Sequence, residues 1–269
     1  MLKVTTIETP IKVGMNHPIK VHCSDSEQYI MKCINESTNG KALFNELIAA
    51  RFAKILGLPT PEFAIGTLEP SLIDKNDSLS LHKFKPGKCF LSKLVNGTAF
   101  GINPVIVKHI KNIEVVPSII LFDAILMNTD RASNRGNWFF TREQNLIALD
   151  HTNIFRIAQI WDAISLHQDE QIPPLIVEQL KDRSYSILAN EYKARNNNIH
   201  HPFSPLTRKL SKMDITNITH IFTGIPDEWG ISAKDLSAAK SFLTFQLGHI
   251  DDLALELECM FKFQKGGLY

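Results

Sequence analysis

The chain has 269 residues, and 29 Lys and Arg against 28 Asp and Glu leave a formal charge of +1. That length suffices for one large domain or two lobes around a sizeable core. So even a balance gives no reason to expect a nucleic-acid or acidic-membrane partner, and the longest apolar run, Val115 to Met127, carries Asp123 and falls short of the roughly 20 residues that span a bilayer. The segment Met1 to Lys12 mixes polar and apolar residues around Glu8 and does not read as a signal peptide. Cys23, Cys33, Cys89 and Cys259 lack metal-ligand spacing. Cys23 and Cys33 can face each other across a hairpin, but without a secretion signal all four are expected as reduced thiols of a cytoplasmic protein.

Ile19 to Cys23 and Gln28 to Ile34 read as strands joined by the polar turn Ser24-Asp25-Ser26-Glu27. Alternation places Ile30, Lys32 and Ile34 on one face, so Lys32 is a cation with apolar neighbours. A helix is predicted from about Lys41 to Leu56, with apolar residues at Leu43, Phe44, Leu47, Ile48, Phe52, Ile55 and Leu56. Gly57 fits its left-handed cap, and Pro59 and Pro61 keep it from resuming. On that helix Glu46 has Ala42, Leu43, Ala49 and Ala50 as its helical neighbours. A carboxylate there is poorly solvated unless a cation approaches, and Lys32 is the candidate. The alternative is that Glu46 points outward and Lys32 snorkels to water.

Glu69 to Lys88, with Pro70, Pro86 and Gly87, reads as a loop or variable insertion, and Cys89 to Val95 as a further strand ending at Asn96-Gly97. Val115 to Met127 is predicted as a buried helix. The polar run Asn128-Thr-Asp-Arg-Ala-Ser-Asn-Arg-Gly-Asn137 then leads into a hairpin of Trp138 to Thr141 and Leu146 to Leu149. With Arg142 to Asn145 as a four-residue turn, Phe140 faces Ile147, Trp138 faces Leu149 and Asn137 stands opposite Asp150. Directly opposed residues have Cβ atoms roughly 4.5–5.5 Å apart, close enough to share one ion. Both offer hard oxygen ligands, which suit Mg²⁺ better than Zn²⁺. Asp130 precedes the hairpin by a loop and can sit beside such a metal without binding it. The competing reading makes Asp130, Asn134 and Asn137 ordinary turn residues bonding their own backbone. Beyond Trp161 the chain is predicted mostly helical. Its last helix is capped by Ser232, with Asp235 completing an acidic capping box, and runs through Leu236, Ala239, Leu243, Leu247, Ile250 and Leu253. His167 with Asp169 and Glu170, and His200-His201, are expected at the surface rather than on a metal.

A lysine on a strand, a glutamate on the next helix, an aspartate loop, then an asparagine and an aspartate on a hairpin stand in the order of a bilobal kinase. Tyr29-Ile-Met-Lys32, the helix from Asn45-Glu46 to Pro59, the Asp123, Asn128, Asp130-Arg131 run and Ile147-Ala-Leu-Asp150-His151 resemble the HipA-like kinases, in their compact bacterial branch. Ile225-Pro-Asp-Glu-Trp229 before a long helix resembles that branch's C-terminal part. More remotely, the Asp-Arg loop is similar to that of the phosphatidylinositol-3/4-kinase-like catalytic domains.

The resemblance implies an α+β, bilobal kinase-like fold, with a strand-rich lobe over 1–96 and a larger helical lobe over 97–269. It implies ATP and Mg²⁺ as cofactors and phosphoryl transfer to a protein serine or threonine. Lys32 would contact nucleotide phosphates and pair with Glu46, Asp130 would orient or deprotonate the acceptor hydroxyl, and Asn137 and Asp150 would hold Mg²⁺. Asp123 and Asn128 would brace the loop. The family's Asn-Pro-Asn is here Asn134-Arg135-Gly136-Asn137, so Asn134 competes with Asn137 as ligand, and only the hairpin register favours Asn137. Gly14-Met15-Asn16-His17-Pro18 resembles the family's short phosphate loop, with Asn16 as the phosphate-bonding side chain. Three other functions stay open: a non-catalytic nucleotide-binding module, a lipid or small-molecule kinase, and a nucleotidyl transferase. The residues name neither the acceptor nor an antitoxin-like partner, and no nucleic acid or membrane is expected.

Overall fold

The computed structural model describes residues 1–10, 17–132, 137–196, 199 and 201–263. Alternation builds its first part. In β2 (Ile19–Cys23) the residues Ile19, Val21 and Cys23 are buried, and in β3 (Gln28–Lys32) Tyr29 and Met31 are buried. These sets meet inside a closed barrel of order β1-β2-β3-β5-β4, with β1 at Leu2–Pro10, β4 at Phe63–Leu68 and β5 at Gly87–Lys93. All neighbours run antiparallel except β1 and β4, whose short parallel pairing of Leu2 with Gly66 closes the barrel. Closure removes the exposed edges that an open five-stranded sheet would present.

The interior holds Val4, Ile19, Val21, Met31, Leu91 and three free thiols, Cys23, Cys33 and Cys89. Burial pushes the Cys23 thiol up to about 12, so it behaves as a small apolar group. The segment expected as a loop at 69–88 contains two short helices, α2 (Pro70–Asp74) and α3 (Asp77–Leu81), whose Ile73 and Leu79 cap this core.

Helix α1 (Gly40–Leu56) is buried on nearly every face and belongs to a second, larger core. Its ends follow the sequence signals. The Asn39 carboxamide accepts the Ala42 N–H, and Gly57, at φ 72°, donates its N–H to the Lys54 carbonyl. The same core is shared by α4 (Val116–Ile125), α5 (Ala163–Asp169), α6 (Arg183–Arg195), α7 (Ser204–Leu210), α8 (Ile215–Ile221), α9 (Ala233–Gly248) and α10 (Ile250–Met260). Strands β6 (Gly97–Ala99), β7 (Trp138–Thr141) and β8 (Leu146–Ala148) form a separate small sheet.

The C-terminal helix and its cap also depart from expectation. The last helix is two, α9 and α10, which meet at His249 although the apolar pattern continues through Ile250 and Leu253. Ser232 does cap α9 by accepting the Asp235 N–H. The Asp235 carboxylate does not complete a box: it accepts the Ala163 N–H at 2.9 Å and pairs with Lys41 at 3.1 Å, tying α9 to α5 and α1. The Ile225–Trp229 segment clasps α1 and β5. Glu228 accepts the Lys88 N–H, the Trp229 indole donates to the Lys88 carbonyl, and Gly40 lies against the Trp229 backbone.

A Cβ on Gly40 would stand 1.7 Å from the Trp229 carbonyl oxygen, whereas one on Gly248 meets nothing within 4 Å. Gly40→Ala is therefore expected to cost about 1–3 kcal/mol in urea unfolding, the usual penalty for overpacking. Gly248→Ala is expected to leave stability unchanged or slightly raised.

Candidate active site

Lys32 ends β3 with its side chain in the seam between the barrel and α1. Its ammonium donates to Glu46 Oε1 at 2.6 Å and Thr152 Oγ1 at 3.0 Å, and pairs with Asp150 Oδ1 at 2.8 Å. The snorkelling alternative is excluded, because both Lys32 and Glu46 are buried. Glu46 Oε1 also accepts from the Thr152 hydroxyl at 2.7 Å and the His151 N–H at 3.1 Å. Thus β3, α1 and the segment following β8 converge on one charged cluster.

The two carboxylates are not equivalent. The Glu46 side chain is 5% exposed and that of Asp150 is 31% exposed, so Asp150 faces the open side. Burial pushes the Glu46 carboxyl up; Lys32 opposes this, the charge on Asp150 reinforces it, and the net displacement is upward. Burial acts the same way on Asp150, but Lys32 overrides it and holds that carboxyl well below the usual carboxylate range. Burial alone would lower the Lys32 ammonium, yet Asp150 and Glu46 together raise it. At neutral pH the cluster therefore presents an ionised Asp150 beside a charged Lys32.

Behind the loop of Asn128 to Arg131 lies a second buried ion pair. Asp123, on the otherwise apolar α4, receives Arg131 Nε at 2.6 Å and Nη2 at 2.9 Å, Asn128 Nδ2 at 2.9 Å and the Tyr185 hydroxyl at 2.9 Å. Four donors on one carboxylate satisfy it despite full burial. The remaining guanidinium nitrogen of Arg131 donates to the carbonyls of Leu149 at 2.8 Å and Asn137 at 3.2 Å. One side chain thereby fixes the loop to both ends of the hairpin. Asn128 Oδ1 accepts the Asp130 N–H at 3.1 Å, and the bracing expected of Asp123 and Asn128 is present in the geometry.

The hairpin register differs from the expected one. Trp138 pairs with Ala148, Phe139 with Ile147 and Phe140 with Leu146. The Thr141 N–H donates to the Asn145 carbonyl, and Gln144 adopts φ 66°, so the loop is three residues closed by a left-handed position rather than four. This one-residue shift takes Asn137 out of direct opposition to Asp150. Instead the Asn137 amide nitrogen donates to Asp130 Oδ2 at 3.0 Å. Asp150 leaves the strand direction at φ 53°, turning toward Lys32, and its Oδ1 accepts the Thr152 N–H at 3.3 Å. Asn16 and Asn134 lie outside the described residues.

Lys32, Glu46 and Asp150 thus meet directly, and Asp130 meets Asn137. Sequence reasoning overlooked Thr152, whose hydroxyl links Lys32 to Glu46. Its signal was the Asp-x-Thr spacing, which favours an Asx turn. Asn45 was also unassigned: it bonds the carbonyls of Thr152 and Ala158 and accepts the Trp161 indole N–H, seating the post-hairpin segment on α1. His151 is buried, and burial with the Arg131 charge keeps its imidazole well below the ordinary value and neutral. His167 and His201 pair with Glu170 and Glu258, as surface histidines do.

The HipA-like kinase family model matches residues 4–252. The chain belongs to the HipA-like kinase family. It is similar in structure to the Helicobacter pylori proinflammatory kinase CtkA, with TM-score 0.60 and 16% identity over 94% of this chain and 96% of that one. It is also similar to the Golgi casein kinase with Mn/ADP bound, with TM-score 0.54 and 10% identity over 94% of this chain and 74% of that one. No curated protein sequence matches it. These similarities establish the bilobal kinase-like α+β fold, with an N-terminal sheet and a helical C-terminal part. No helix among the described residues is long and apolar enough to cross a membrane.

Replacing Lys32 by Met would leave Glu46 and Asp150 together without a cation. A loss of about 3–5 kcal/mol is expected, as for other broken buried pairs. In that variant the Glu46 carboxyl rises further, so the folded state takes up a proton more readily than the unfolded chain. The deficit should therefore shrink as pH falls from about 8 to about 5. Urea unfolding of both proteins at the two pH values checks this, and a pH-independent deficit would contradict it.

Proposed function

We propose that this chain transfers the γ-phosphoryl group of ATP to a serine or threonine hydroxyl of a protein, using Mg²⁺. The observation that carries this reading is the cluster in which Lys32 is held between Glu46 and Asp150, with Asp130 and Asn137 bonded to each other nearby. Glu46, fixed on α1, aims Lys32 into the seam, where its ammonium would contact the nucleotide phosphates. Asp150 is the better exposed carboxylate and is ionised, so it is the candidate metal ligand. Asn137 spends its amide nitrogen on Asp130, leaving Oδ1 as the atom of ligand character. An ionised carboxylate and an amide oxygen fit a hard divalent cation. When bound, Mg²⁺ supplies neutralisation of the charge on the β- and γ-phosphates.

Asp130 would orient the acceptor hydroxyl and take its proton, with its position set by Asn128, Arg131 and Asn137. Asn16 is proposed at the phosphates and Asn134 as an alternative metal ligand. The division at Asn96 is proposed as the boundary of the two lobes, with the cleft between 1–96 and 97–269. The protein acceptor rests on the family resemblance, supported by the casein kinase named among the similar folds. The manganese and ADP in that structure support the assignment of a nucleotide and a divalent cation here.

Incubation with γ-labelled ATP, Mg²⁺ and a serine-rich protein should give label on serine or threonine, and on the chain itself if it serves as its own acceptor. Asp130→Ala and Asp150→Ala should each lower the rate by about 10²–10³, the typical effect of removing electrostatic stabilisation at a reacting centre. Transfer unchanged in both variants would contradict the site. Metal-dependent thermal stabilisation by ATP without any transfer would identify a binding module instead.

A further inference from the structure

On the barrel wall, three side chains from separate segments meet: His17 before β2, Glu36 in the β3–α1 connection and His82 at the end of α3. One ligand atom from each lies within 4.8 Å of the other two. His82 Nδ1 and Glu36 Oε1 are 2.9 Å apart, and the His17 and His82 rings stack with centroids at 3.9 Å and planes 21° apart. We infer that His17, Glu36 and His82 form a binding site for a borderline-soft divalent cation such as Zn²⁺, a site that shares no residue with the Lys32–Glu46–Asp150 cluster.

The backbone prepares this meeting. The Glu36 N–H donates to the His82 carbonyl, and the Lys85 N–H donates to the Ile34 carbonyl, so the segments carrying Glu36 and His82 are paired before any ion arrives. His17 stands in the left-handed region at φ 46° immediately before Pro18, and its ring, stacked on His82 here, turns about its side-chain bonds to bring both imidazole lone pairs onto one ion. The His82 and Glu36 side chains are 29% and 39% exposed, open enough for an ion to enter. Two imidazole nitrogens and one carboxylate oxygen are a zinc donor set, with a fourth tetrahedral position left for solvent. Magnesium, which takes oxygen ligands, would be a poor competitor.

A hydrogen-bonded His–Glu pair with a stacked neighbour would need no metal, and simple pairs occur elsewhere. His167 with Glu170, His201 with Glu258 and His249 with Asp252 each join one imidazole to one carboxylate. Among the described residues, the 17–36–82 cluster is the one place where three such groups converge. An ion there would cross-link the chain entering β2 to α3 and to the connection leading into α1.

The test is zinc titration of metal-free full-length protein against a chromophoric chelator, in a Cys259→Ser background that removes the exposed thiol, with Co²⁺ as a spectroscopic probe. One equivalent should bind, Co²⁺ should give the visible absorption of tetrahedral coordination, and excess Mg²⁺ should not displace either ion. His17→Ala and His82→Ala should each weaken binding by at least about tenfold, or about 1.4 kcal/mol. The near-isosteric Glu36→Gln should do likewise without disturbing packing. His201→Ala and Asp150→Asn should bind as the parent does. Absence of stoichiometric zinc, undiminished binding in the His17, Glu36 and His82 variants, or loss of zinc in Asp150→Asn would overturn the assignment. None of these outcomes bears on phosphoryl transfer, which the labelled-ATP assay reads separately.

Discussion

A buried ammonium must be met by buried carboxylates, and this constraint organises the molecule around Lys32. The desolvation of three charges is offset only if all three stay together with their hydrogen bonds made. Glu46 and Asp150 come from a helix and from a post-hairpin segment, so the ion cluster forms only when the barrel, α1 and the small sheet are docked. Thr152 and the His151 N–H complete the coordination of Glu46, and Asn45 anchors the same segment to α1. The asymmetry of the two acids follows from depth. Glu46 is the enclosed partner that fixes the lysine, and Asp150 is the partner with an open side.

The Asp123–Arg131 pair does for the loop what Glu46 does for Lys32. It is wholly buried, bidentate and supported by Asn128 and Tyr185, and its spare donor reaches the carbonyls at both ends of the hairpin. Asp130 sits between these anchors with its backbone N–H held by Asn128 and its carboxylate bonded by Asn137. Rigidity of this kind is what the proton-accepting role proposed for Asp130 would require, since small displacements at a reacting centre are costly in rate.

Much of this was legible where a local rule has a local cause. The run from Leu43 to Leu56 gave α1 within a residue at its start, Gly57 its cap, and the small apolar neighbours of Glu46 its need for a cation. Ser232 was recognisable as a cap. What escaped depends on distant partners or on one dihedral. Strands β1 and β4 carry weak patterns, and the barrel closes through a pairing of Leu2 with Gly66, which no local window reveals. The hairpin register failed because Gln144 accepts a left-handed conformation, shortening the loop by one residue and shifting the pairing of the whole strand. The break at His249 was hidden because the apolar residues of α9 and α10 face the same core and keep an unbroken period across the bend.

We propose that Asp150 is held ionised by Lys32 so that it can exchange that partner for a metal ion. A crystal structure with ADP and Mn²⁺, with the ion located by its anomalous scattering, tests this most directly. The ion should lie within coordination distance of the Asp150 carboxylate and an asparagine side-chain oxygen, with Lys32 still paired to Glu46 and turned to the phosphates. A manganese peak away from Asp150, or nucleotide phosphates that do not approach Lys32, would contradict this assignment.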